Sequence, residues 1–391
     1  MMPTSRRSTQ RPRLRRGTAW RRSLGAAALA CLAALPLVPA QAAGYRVETV
    51  ASGLEFPWAA AFLPDGRLLV TERAGRLQVL APDATGRPSW QAQPVQGLPP
   101  VLVAGQAGLF DVLVDPDFSR NGWIYLSFAH GTPQANHLRV VRARLQGHQL
   151  QEVRTLFTSR PAKRHDQHFG ARMALLGDGT LAVTLGDGNV ERTDAQRMDT
   201  HLGKTVRIAR DGSVPADNPF VGRAGVLPEI YSLGHRNPQG LVFVPALTAL
   251  YQHEHGSKGG DELNRIVPGA NYGWPLATGG VDYTGARITP YRALPGVVPP
   301  LAEWTPSIAP AGMSYYDGAL FPAWRGSLFV AALKERSVRR VPLQGGVPGP
   351  QETLFQELGE RLRDVRAGPD GALYLLTDSA QGRVLRIAPA P

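Results

Sequence analysis

Two residues in the middle of the chain have the types needed for proton transfer. His168 lies in the segment 166–172, just before a predicted strand, and Asp187 ends the hairpin of that strand. An imidazole titrates near neutral pH, and a neighbouring carboxylate can select its tautomer. The pair is therefore a candidate general base with its orienting acid. A solvated or turn-capping histidine is the alternative that the residue types leave open.

Four basic residues in loops near predicted strand ends suggest an anionic ligand. They are Arg236, Lys334, Arg361 and Arg363. Guanidinium groups bind carboxylates and phosphates through two parallel hydrogen bonds, so a cluster of them suits a ligand with several such groups. Taken one at a time, each is equally explained as a solvated surface charge.

A glycine-rich segment contains residues from which a metal site can be built. Asp261 and Glu262 lie there, and carboxylates with backbone carbonyls are typical calcium ligands, although the spacing is not that of an EF-hand. His253 and His255 lie on the same side of a predicted strand and suggest zinc or copper, an interpretation that ranks below calcium. The chain has no HExxH motif, no P-loop and no dinucleotide-binding glycine fingerprint.

The predicted strands that must position these residues share one repeated sequence pattern. An apolar stretch, a turn rich in Asp, Gly or Pro, and a second apolar stretch recur six times, with turns near positions 65, 117, 178, 246, 325 and 370. Asp-Gly pairs supply the positive φ that tight hairpins need. A repeated all-β unit indicates a propeller blade, so we predict an all-β, six-bladed β-propeller. A pair of sandwiches is the alternative, but it leaves the sixfold repetition unexplained.

Three long segments interrupt the repeat. They are residues 81–109, 187–235 and 256–310, which are rich in Gly, Pro, Asn and Asp. Loops on one face of a propeller commonly build its binding site. We therefore expect these inserts to bring the base, the cations and the metal loop together.

The first 42 residues have the pattern of an export signal. They carry eight arginines and no lysine or acidic residue, followed by an apolar run over 24–40 and small residues up to Ala42. We expect cleavage near Ala42, which leaves residues 43–391 as a single catalytic propeller in the periplasm or outside the cell. An uncleaved anchor and a lipid-modified Cys31 are the alternatives, and the sequence leaves the Sec and twin-arginine routes open.

Removal of this leader lowers the net charge of the protein and changes which partners the charge suggests. The full chain has 43 basic and 31 acidic residues, and the loss of eight arginines lowers the net charge from +12 to +4. This balance argues against a nucleic-acid or membrane-surface partner. Cys31 is the only cysteine of the chain, so the remaining domain has neither disulfides nor thiolate metal ligands.

Several motifs together resemble the soluble glucose dehydrogenase and aldose sugar dehydrogenase family. They are GHRNPQG at 234–240, EHG at 254–256 with GDE at 260–262, NYGWP at 271–275 and RLRD at 361–364. The likeness extends from about Leu54 to Ile387. Members are six-bladed propellers that use pyrroloquinoline quinone (PQQ) and calcium. The resemblance implies a quinoprotein that oxidises the C1 hydroxyl of aldoses to the lactone and passes electrons to an external acceptor.

The resemblance also implies roles for individual residues. His168 would take the C1 hydroxyl proton as hydride passes to PQQ, and Asp187 would orient His168. Arg236 would polarise the quinone oxygens and stabilise the charge that develops there. The residues implied to hold the planar tricarboxylate are Gln106, Arg236, Asn237, Lys334, Arg361 and Arg363.

Two calcium sites are implied by the same resemblance. Gly256 and Ser257 would offer backbone carbonyls to a calcium that PQQ also ligates. Glu262 and Tyr272 would bind a second, structural calcium. Ser257 stands where proline is common in the family, which matters little if only its carbonyl is used.

A second departure from the family pattern affects the expected substrate. Gln167 replaces the acidic residue that precedes the base in the glucose-oxidising branch, with Asp166 one position earlier. The loops are also shorter than in the dimeric glucose enzymes, which favours broad aldose specificity and a monomer. The competing hypotheses are a calcium-dependent propeller lactonase and a non-catalytic propeller that binds glycans or a protein.

Overall fold

A computed structural model describes residues 44–82 and 89–390. The predicted leader with its cleavage point, and part of the first insert, lie outside the described residues. Residues Ala43–Pro391 cluster as one unit. Over the described ranges, no helix has the length and apolar character needed to cross a membrane.

The described residues form six antiparallel sheets, each of which is one blade. Strand β1 (Tyr45–Leu54) belongs to the last blade. Blade 1 contains β2 (Pro57–Phe62), β3 (Leu68–Glu72), β4 (Arg76–Pro82) and β5 (Trp90–Pro94). Blade 2 contains β6 (Leu109–Val114), β7 (Trp123–Thr132), β8 (Ala135–Gln146) and β9 (Gln149–Thr158). Blade 3 contains β10 (Met173–Leu175), β11 (Leu181–Thr184), β12 (Lys204–Ile208) and β13 (Ile230–Leu233).

The second half of the ring repeats this arrangement. Blade 4 contains β14 (Pro238–Val244), β15 (Ala249–Glu254), β16 (Asp261–Ile266) and β17 (Ala302–Trp304). Blade 5 contains β18 (Pro310–Tyr316), β19 (Ser327–Ala332) and β20 (Ser337–Gln344), with β21 (Val347–Pro348) and β22 (Glu352–Leu354) both paired to β20. Blade 6 contains β23 (Leu362–Ala367), β24 (Leu373–Thr377) and β25 (Gly382–Pro389), and β1 is its outer strand.

Helical structure in the described ranges is limited to single turns. The α-helical turn is α1 (Phe118–Asn121), and the 3₁₀ turns are Arg192–Gln196, Pro245–Leu247, Pro322–Trp324 and Gln356–Leu358.

The ring is closed by pairing between the two ends of the domain. In the antiparallel ladder of β1 and β25, Tyr45 lies opposite Pro389 and Val47 opposite Ile387. Closure of this kind leaves the ring without a gap between its first and last blades. The apolar core lies between neighbouring blades, where residues such as Leu69, Leu126 and Val183 are fully buried.

The six predicted turns are the first hairpins of the six blades, so the prediction of a six-bladed propeller is confirmed and the sandwich alternative is wrong. Gly66 and Gly371 adopt φ of +85° and +79° in two of these turns, as the Asp-Gly pairs predict. The repeated phrase therefore marks one structural position in every blade.

The antiparallel order also decides which connections meet on one face. Because strand direction alternates, the first hairpins lie on one face, and the connections from second to third strand and from blade to blade lie on the other. We call the latter the loop face. The candidate residues outside the strands reach this face from several blades: Gln106 before β6, His168 before β10, Asp187 after β11, Arg236 and Asn237 before β14, Gly256 and Ser257 after β15, Lys334 after β19 and Arg361 before β23.

Candidate active site

The structure joins the two residues predicted to transfer a proton. Nδ1 of His168 lies 2.7 Å from Oδ1 of the fully buried Asp187. The other carboxylate oxygen of Asp187 accepts a 2.7 Å hydrogen bond from Nε1 of Trp274, and the backbone N–H of Asn189 donates to Oδ1 at 2.7 Å. This carboxylate holds the proton of the imidazole on Nδ1, so Nε2 is left with the lone pair that a base needs.

The electrostatic surroundings keep His168 neutral. Burial lowers the pKa of His168, Asp187 opposes this shift, and the charges of Arg236 and Lys163 lower the pKa further. For Asp187, burial raises the pKa, but the hydrogen bond and charge of His168 and the charge of Arg236 outweigh it, so the carboxyl stays ionised. A neutral imidazole beside an ionised carboxylate is the state in which His168 accepts a proton.

The backbone around His168 is held in an unusual conformation by its neighbours. His168 has a φ of +48°, in the left-handed region that costs a non-glycine residue roughly 1–3 kcal/mol. A Cβ on Gly186 would lie 2.1 Å from the His168 carbonyl oxygen, so glycine is needed for this close approach. The Gln106 side chain accepts the His168 N–H at 3.0 Å, and the Asn237 side chain accepts the Gly170 N–H at 3.1 Å. Two predicted cofactor residues thus also fix the segment that carries the base.

His168 opens into a cavity of about 490 Å³ on the loop face. Its charged lining residues other than histidine are four arginines and one acid: Arg73, Arg236, Arg361, Arg363 and Asp378. Gln106 and Asn237 also line it, whereas the predicted ligand Lys334 is exposed beside the lining residue Leu333. The cavity therefore has an excess of positive charge.

Two of these arginines share a single carboxylate. Arg361 and Arg363 lie 2.8 Å and 3.1 Å from Asp378, which follows β24. Burial lowers the pKa of Arg363, and Asp378 opposes the shift. Nη1 of Arg363 also donates to Oε1 of Gln239 at 3.2 Å. The single negative charge of Asp378 neutralises only one of the two arginine charges. An anion can therefore bind to these arginines while Asp378 keeps a partner.

Arg236 connects the proton-transfer pair with the predicted calcium loop. Its carbonyl accepts the N–H of Asp187 at 2.8 Å, and its guanidinium donates to the backbone carbonyls of His255 and Gly256. Its own N–H donates to the Glu254 carboxylate, and the guanidinium lies 5.3 Å from the ring centre of Trp274. These contacts fix Arg236 between the base and the loop.

The predicted calcium loop is partly occupied by internal hydrogen bonds. Asp261 accepts the Gly256 N–H at 2.9 Å through one oxygen, and the other oxygen accepts from Ser307, Ile308 and Ala309. Over residues 44–82 and 89–390, no three His, Asp or Glu side chains form a metal-binding group. Asp261 therefore shapes the loop, and a cation here would depend on backbone carbonyls such as those of Gly256 and Ser257.

Glu262 lies among other acidic side chains. It lines a cavity of about 10 Å³ together with Gly256 and Thr278. Burial, together with the charges of Glu254, Glu303 and Asp261, raises the pKa of Glu262. Within the described ranges no lysine or arginine forms an ion pair with it. A cation in this space would oppose both the burial and the repulsion that raise the pKa of Glu262.

Tyr272 and the two histidines are less suited to metal binding through their side chains. The Tyr272 hydroxyl donates to the Arg265 carbonyl and accepts the Val267 N–H at 2.9 Å, so its proton and one lone pair are already engaged within the protein. His255 lines the main cavity and lies 2.6 Å from the Pro310 carbonyl through Nε2. His253 is fully buried, and in the described part of the chain no third ligand joins the two histidines.

Several functional contacts were not predicted from the sequence. Arg73 completes the arginine lining, Trp274 anchors Asp187, and Asp378 pairs with two arginines. Lys163 is buried with Nζ 3.5 Å from the ring centre of Phe169, and burial lowers the pKa of Lys163 to about 7. Trp274 lies within the NYGWP motif, so the sequence contained a signal that could have identified this residue. Arg73 and Asp378 lie outside the motifs, and only the closed ring brings them to the cavity.

A second buried group of charges lies at the centre of the ring. We call Arg172, Arg366, Asp111 and Asp364 the axial ion cluster. Arg172 lies 3.2 Å from Asp111 and 3.3 Å from Asp364, and Arg366 lies 2.8 Å from Asp364 and 3.4 Å from Asp111. Nε of Arg172 donates to the carbonyl of Gln239, whose side chain contacts Arg363. The cluster has equal numbers of both charges and supports one wall of the cavity.

Known proteins resemble this chain over almost its whole length. The sequence profile of the Glucose / Sorbosone dehydrogenase family matches residues 54–386. Aldose sugar dehydrogenase YliI of Escherichia coli is 39% identical over 355 residues, which cover 88% of this chain and 93% of that protein.

Two solved structures extend this likeness to the fold. The soluble aldose sugar dehydrogenase of Escherichia coli in its apo-form superimposes with a TM-score of 0.84 at 38% identity, over 88% of this chain and 100% of that one. The PQQ-bound aldose sugar dehydrogenase of Streptomyces coelicolor superimposes with a TM-score of 0.69 at 27% identity, over 88% of this chain and 99% of that one.

Proposed function

Because the chain belongs to the glucose and sorbosone dehydrogenase family, we propose that it is a PQQ-dependent aldose dehydrogenase. In this proposal it oxidises the C1 hydroxyl of aldoses to the lactone and passes the electrons to an external acceptor. The observation that carries the proposal is that His168, hydrogen-bonded to the Asp187 carboxylate, lines a cavity with four arginines. A proton acceptor and an anion site thus meet in one place.

The charges of the cavity fit a planar tricarboxylate. Arg361 and Arg363 share only Asp378, so each keeps donors for a carboxylate of the cofactor. Gln106 and Asn237 add polar side chains to the same wall. Lys334 is exposed beside Leu333, from where its flexible side chain can reach an anion. When bound, PQQ supplies the electrophilic quinone carbon that accepts a hydride.

The proton-transfer step follows from the contacts of His168. Its Nε2 faces the cavity with a free lone pair, because Nδ1 is bound to Asp187. With PQQ bound, the C1 hydroxyl proton would move to Nε2 while hydride passes from C1 to the quinone, and Asp187 would stabilise the imidazolium that forms. Arg236 would place its cation beside this reaction, where it would stabilise negative charge.

The loop residues fit two cation sites to different degrees. Glu262 is a half-buried carboxylate whose neighbours are acidic, so a calcium ion would relieve that repulsion, with the Tyr272 carbonyl as a further ligand. Gly256 and Ser257 would supply carbonyls to a calcium beside the cofactor. The Gly256 carbonyl accepts a hydrogen bond from Arg236, so calcium would share this oxygen with Arg236 or displace it.

Other features of the proposal depend on the sequence. Gln167 binds the side chain of Asn189 and brings no charge to the base, which favours broad aldose specificity. The arginine-rich leader favours export and cleavage near Ala42, and the short loops favour a monomer. A lactonase would need acidic side chains around a central cation, whereas the main cavity is lined by four arginines and one acid.

Dye reduction over a panel of aldoses tests the proposal. The purified protein with PQQ and calcium is expected to reduce the dye with several aldoses, and the same protein without PQQ is the control. His168→Asn is the matched variant, because asparagine tolerates the positive φ of this position. Loss of turnover with retained PQQ binding supports the role of His168. No PQQ binding, or no activity with any sugar, contradicts the proposal, and unchanged turnover in the variant favours a different base.

A further inference from the structure

Lys204, the first residue of β12, is fully buried and lies outside the cavity. Its Nζ donates hydrogen bonds to three backbone carbonyls, those of Asp194 at 2.9 Å, Ala195 at 3.0 Å and Leu202 at 2.7 Å. An ammonium group has three N–H donors, so each of them has an acceptor here. Lys204 is thus held by backbone oxygens in the way that a small cation would be.

The three carbonyls favour the charged form of Lys204. Burial lowers the pKa of Lys204 to about 7, and the charges of Asp194 and Asp199 oppose this shift. Both carboxylates form their ion pairs with Arg197, at 3.4 Å and 2.7 Å, and not with Lys204. A neutral amine has only two N–H groups and would leave one of the three carbonyls without this donor. The ring of carbonyls is therefore complete only around the ammonium.

The three carbonyls belong to one loop, residues 187–203. The loop begins at Asp187, the carboxylate that binds His168. Two of the carbonyls lie in the 3₁₀ turn Arg192–Gln196, and the third lies just before β12. Lys204 therefore ties the middle of this loop to its end.

The end of the loop reaches the base through two backbone contacts. The Lys204 carbonyl accepts the N–H of Leu185 at 2.8 Å, and the N–H of Gly203 donates to the Gly186 carbonyl at 3.0 Å. A Cβ on Gly186 would lie 2.1 Å from the His168 carbonyl oxygen, so Gly186 packs directly on the backbone of the base. A displacement of Gly203 is therefore passed to His168 through a single residue.

The loop is packed tightly around Gly203. A Cβ on Gly203 would lie 2.5 Å from Cβ of Ala195 and 2.6 Å from the His235 carbonyl oxygen. The Lys204 ammonium holds the Ala195 carbonyl and so fixes the same contact from the other side. Without the ammonium, the carbonyls of the buried residues Ala195 and Leu202 lose a donor, and the loop must shift for them to find another.

We propose that Lys204 is a positioning residue for the base. As a built-in cation it holds the 187–203 loop in the shape in which Asp187 and Gly186 keep His168 in place. The proposal rests on the proposed function for the proton transfer at His168. Because Lys204 does not line the cavity, its loss lowers kcat and leaves PQQ affinity largely unchanged.

Two substitutions remove the donors of Lys204 by degrees. Lys204→Met has no N–H group, and Lys204→Gln has two on a shorter side chain. In dye reduction with glucose, Lys204→Met is expected to lower kcat about 10²-fold, the effect of a small displacement of a reacting group. Lys204→Gln is expected to lie between Lys204→Met and the wild type, and it keeps the test decisive if Lys204→Met does not fold.

Arg207→Met is the matched control, because it removes a second buried cation from the same strand. The Arg207 guanidinium binds Thr180, Asp178 and Asp217, all of which lie outside the 187–203 loop. Its loss is expected to lower the urea midpoint, because it leaves charged groups without a partner, but to leave kcat at the wild-type value. An equal fall of kcat in Arg207→Met would mean that lower stability alone explains the effect, and the positioning role would be wrong.

A second readout needs neither cofactor nor turnover. In the protein without PQQ, the Nδ1 proton that His168 shares with Asp187 gives a downfield NMR signal while its exchange with water is slow. We expect this signal in the wild type and in Arg207→Met. It should be weaker in Lys204→Gln and absent in Lys204→Met, because a displaced loop opens the hydrogen bond to water.

The outcomes separate the two proposals. If the wild type oxidises sugars and the Lys204 variants keep both kcat and the Nδ1 proton signal, the positioning role is wrong and the proposed function stands. If no sugar is oxidised, but the Lys204 variants lose the signal and Arg207→Met keeps it, the proposed function is wrong and the positioning of His168 by Lys204 is supported.

Discussion

The axial ion cluster and the main cavity are built from the same residue types, arginine and aspartate, but they have different roles. The cluster pairs two arginines with two aspartates, of which all but the half-buried Arg366 are buried, and touches the inner strands of several blades. The cavity has four arginines and one aspartate. Buried charges must be compensated, so a balanced group is complete within the protein, whereas an unbalanced group needs a ligand of opposite charge. Charge balance thus distinguishes a structural role from a binding role.

The contacts of the cluster explain why it belongs to the fold. Arg172 lies over the ring of Trp58 in β2 at 4.0 Å and binds Asp111 in β6 and Asp364 in β23. A Cβ on Gly312 in β18 would lie 1.7 Å from Oδ1 of Asp364, so the strand of blade 5 approaches the cluster as well. Removal of either arginine would leave two buried aspartates with a single cation.

The largest expected effect comes from breaking the balanced group. Arg172→Met should lower the free energy of unfolding by ~3–5 kcal/mol, because Asp111 and Asp364 are left with Arg366 alone. Arg363→Met is the matched variant from the cavity and should cost only about 1 kcal/mol, because Asp378 keeps Arg361. Urea denaturation of both proteins measures the difference. If both variants lost the same free energy of unfolding, the axial ion cluster and the cavity would not differ in their structural roles.

The second prediction concerns the close fit around the base. Gly186→Ala should lower kcat/KM by roughly 10²-fold, because a Cβ at this position displaces the His168 backbone. PQQ affinity should change little, since Gly186 does not line the cavity. Gly349→Ala is the control, because its Cβ would make only ordinary contacts, with the side chain of Gln344 at 3.4 Å and the Pro342 carbonyl oxygen at 3.6 Å. Full activity in Gly186→Ala would show that the close approach is not needed.

The third prediction tests the unbalanced charge directly. Arg361→Ala should weaken PQQ binding by about 10–100-fold, the range for a charge-assisted hydrogen bond of ~1.5–3 kcal/mol. Arg325→Ala removes the same charge from an exposed turn on the opposite face and should bind PQQ as the wild type does. Calorimetric titration of both variants gives the comparison. An equal loss in both would mean that overall charge, and not the cavity, attracts the anion.

The smallest effect is expected in the pH dependence. Because burial lowers the pKa of His168, the base stays neutral below the ordinary histidine value of 6.5, and kcat/KM should decline only at pH below 6.5. The charge of Lys163 contributes to this shift, so Lys163→Met should move the decline to higher pH. NMR titration of the His168 ring in the protein without cofactor measures the same change. If kcat/KM of Lys163→Met declined at lower pH than that of the wild type, the expected direction of the pKa change of His168 would be wrong.

The fold was predictable because its signal is local and repeated. Turns such as that at Gly66 require a positive φ, and the phrase around them recurs in every blade. The meeting of His168 with Asp187 was also predictable, because one hairpin separates them. The axial ion cluster was not, since Asp111 and Asp364 come from strands that only ring closure brings together. The same reason applies to the approach of Arg73 to Arg361.

The predicted ligands of the metal and the cofactor were only partly recognisable from their types. Asp261 looked like a calcium ligand in sequence, but its two oxygens are taken by hydrogen bonds that shape the loop. Glu262, its neighbour, lies among acidic side chains whose charge a cation would compensate. Adjacent carboxylates thus differ in role because of where each side chain points, which depends on the alternation of residues along β16.

The central claim is that the cavity binds an anionic quinone and that His168 takes the proton from the sugar. The most direct measurement is the absorbance of PQQ bound to the protein with calcium, recorded before and after addition of glucose, in the wild type and in His168→Asn. Both proteins should bind PQQ, and only the wild type should show a rapid change on addition of sugar. Absence of PQQ binding in the wild type, or an equally rapid change in His168→Asn, would contradict the account.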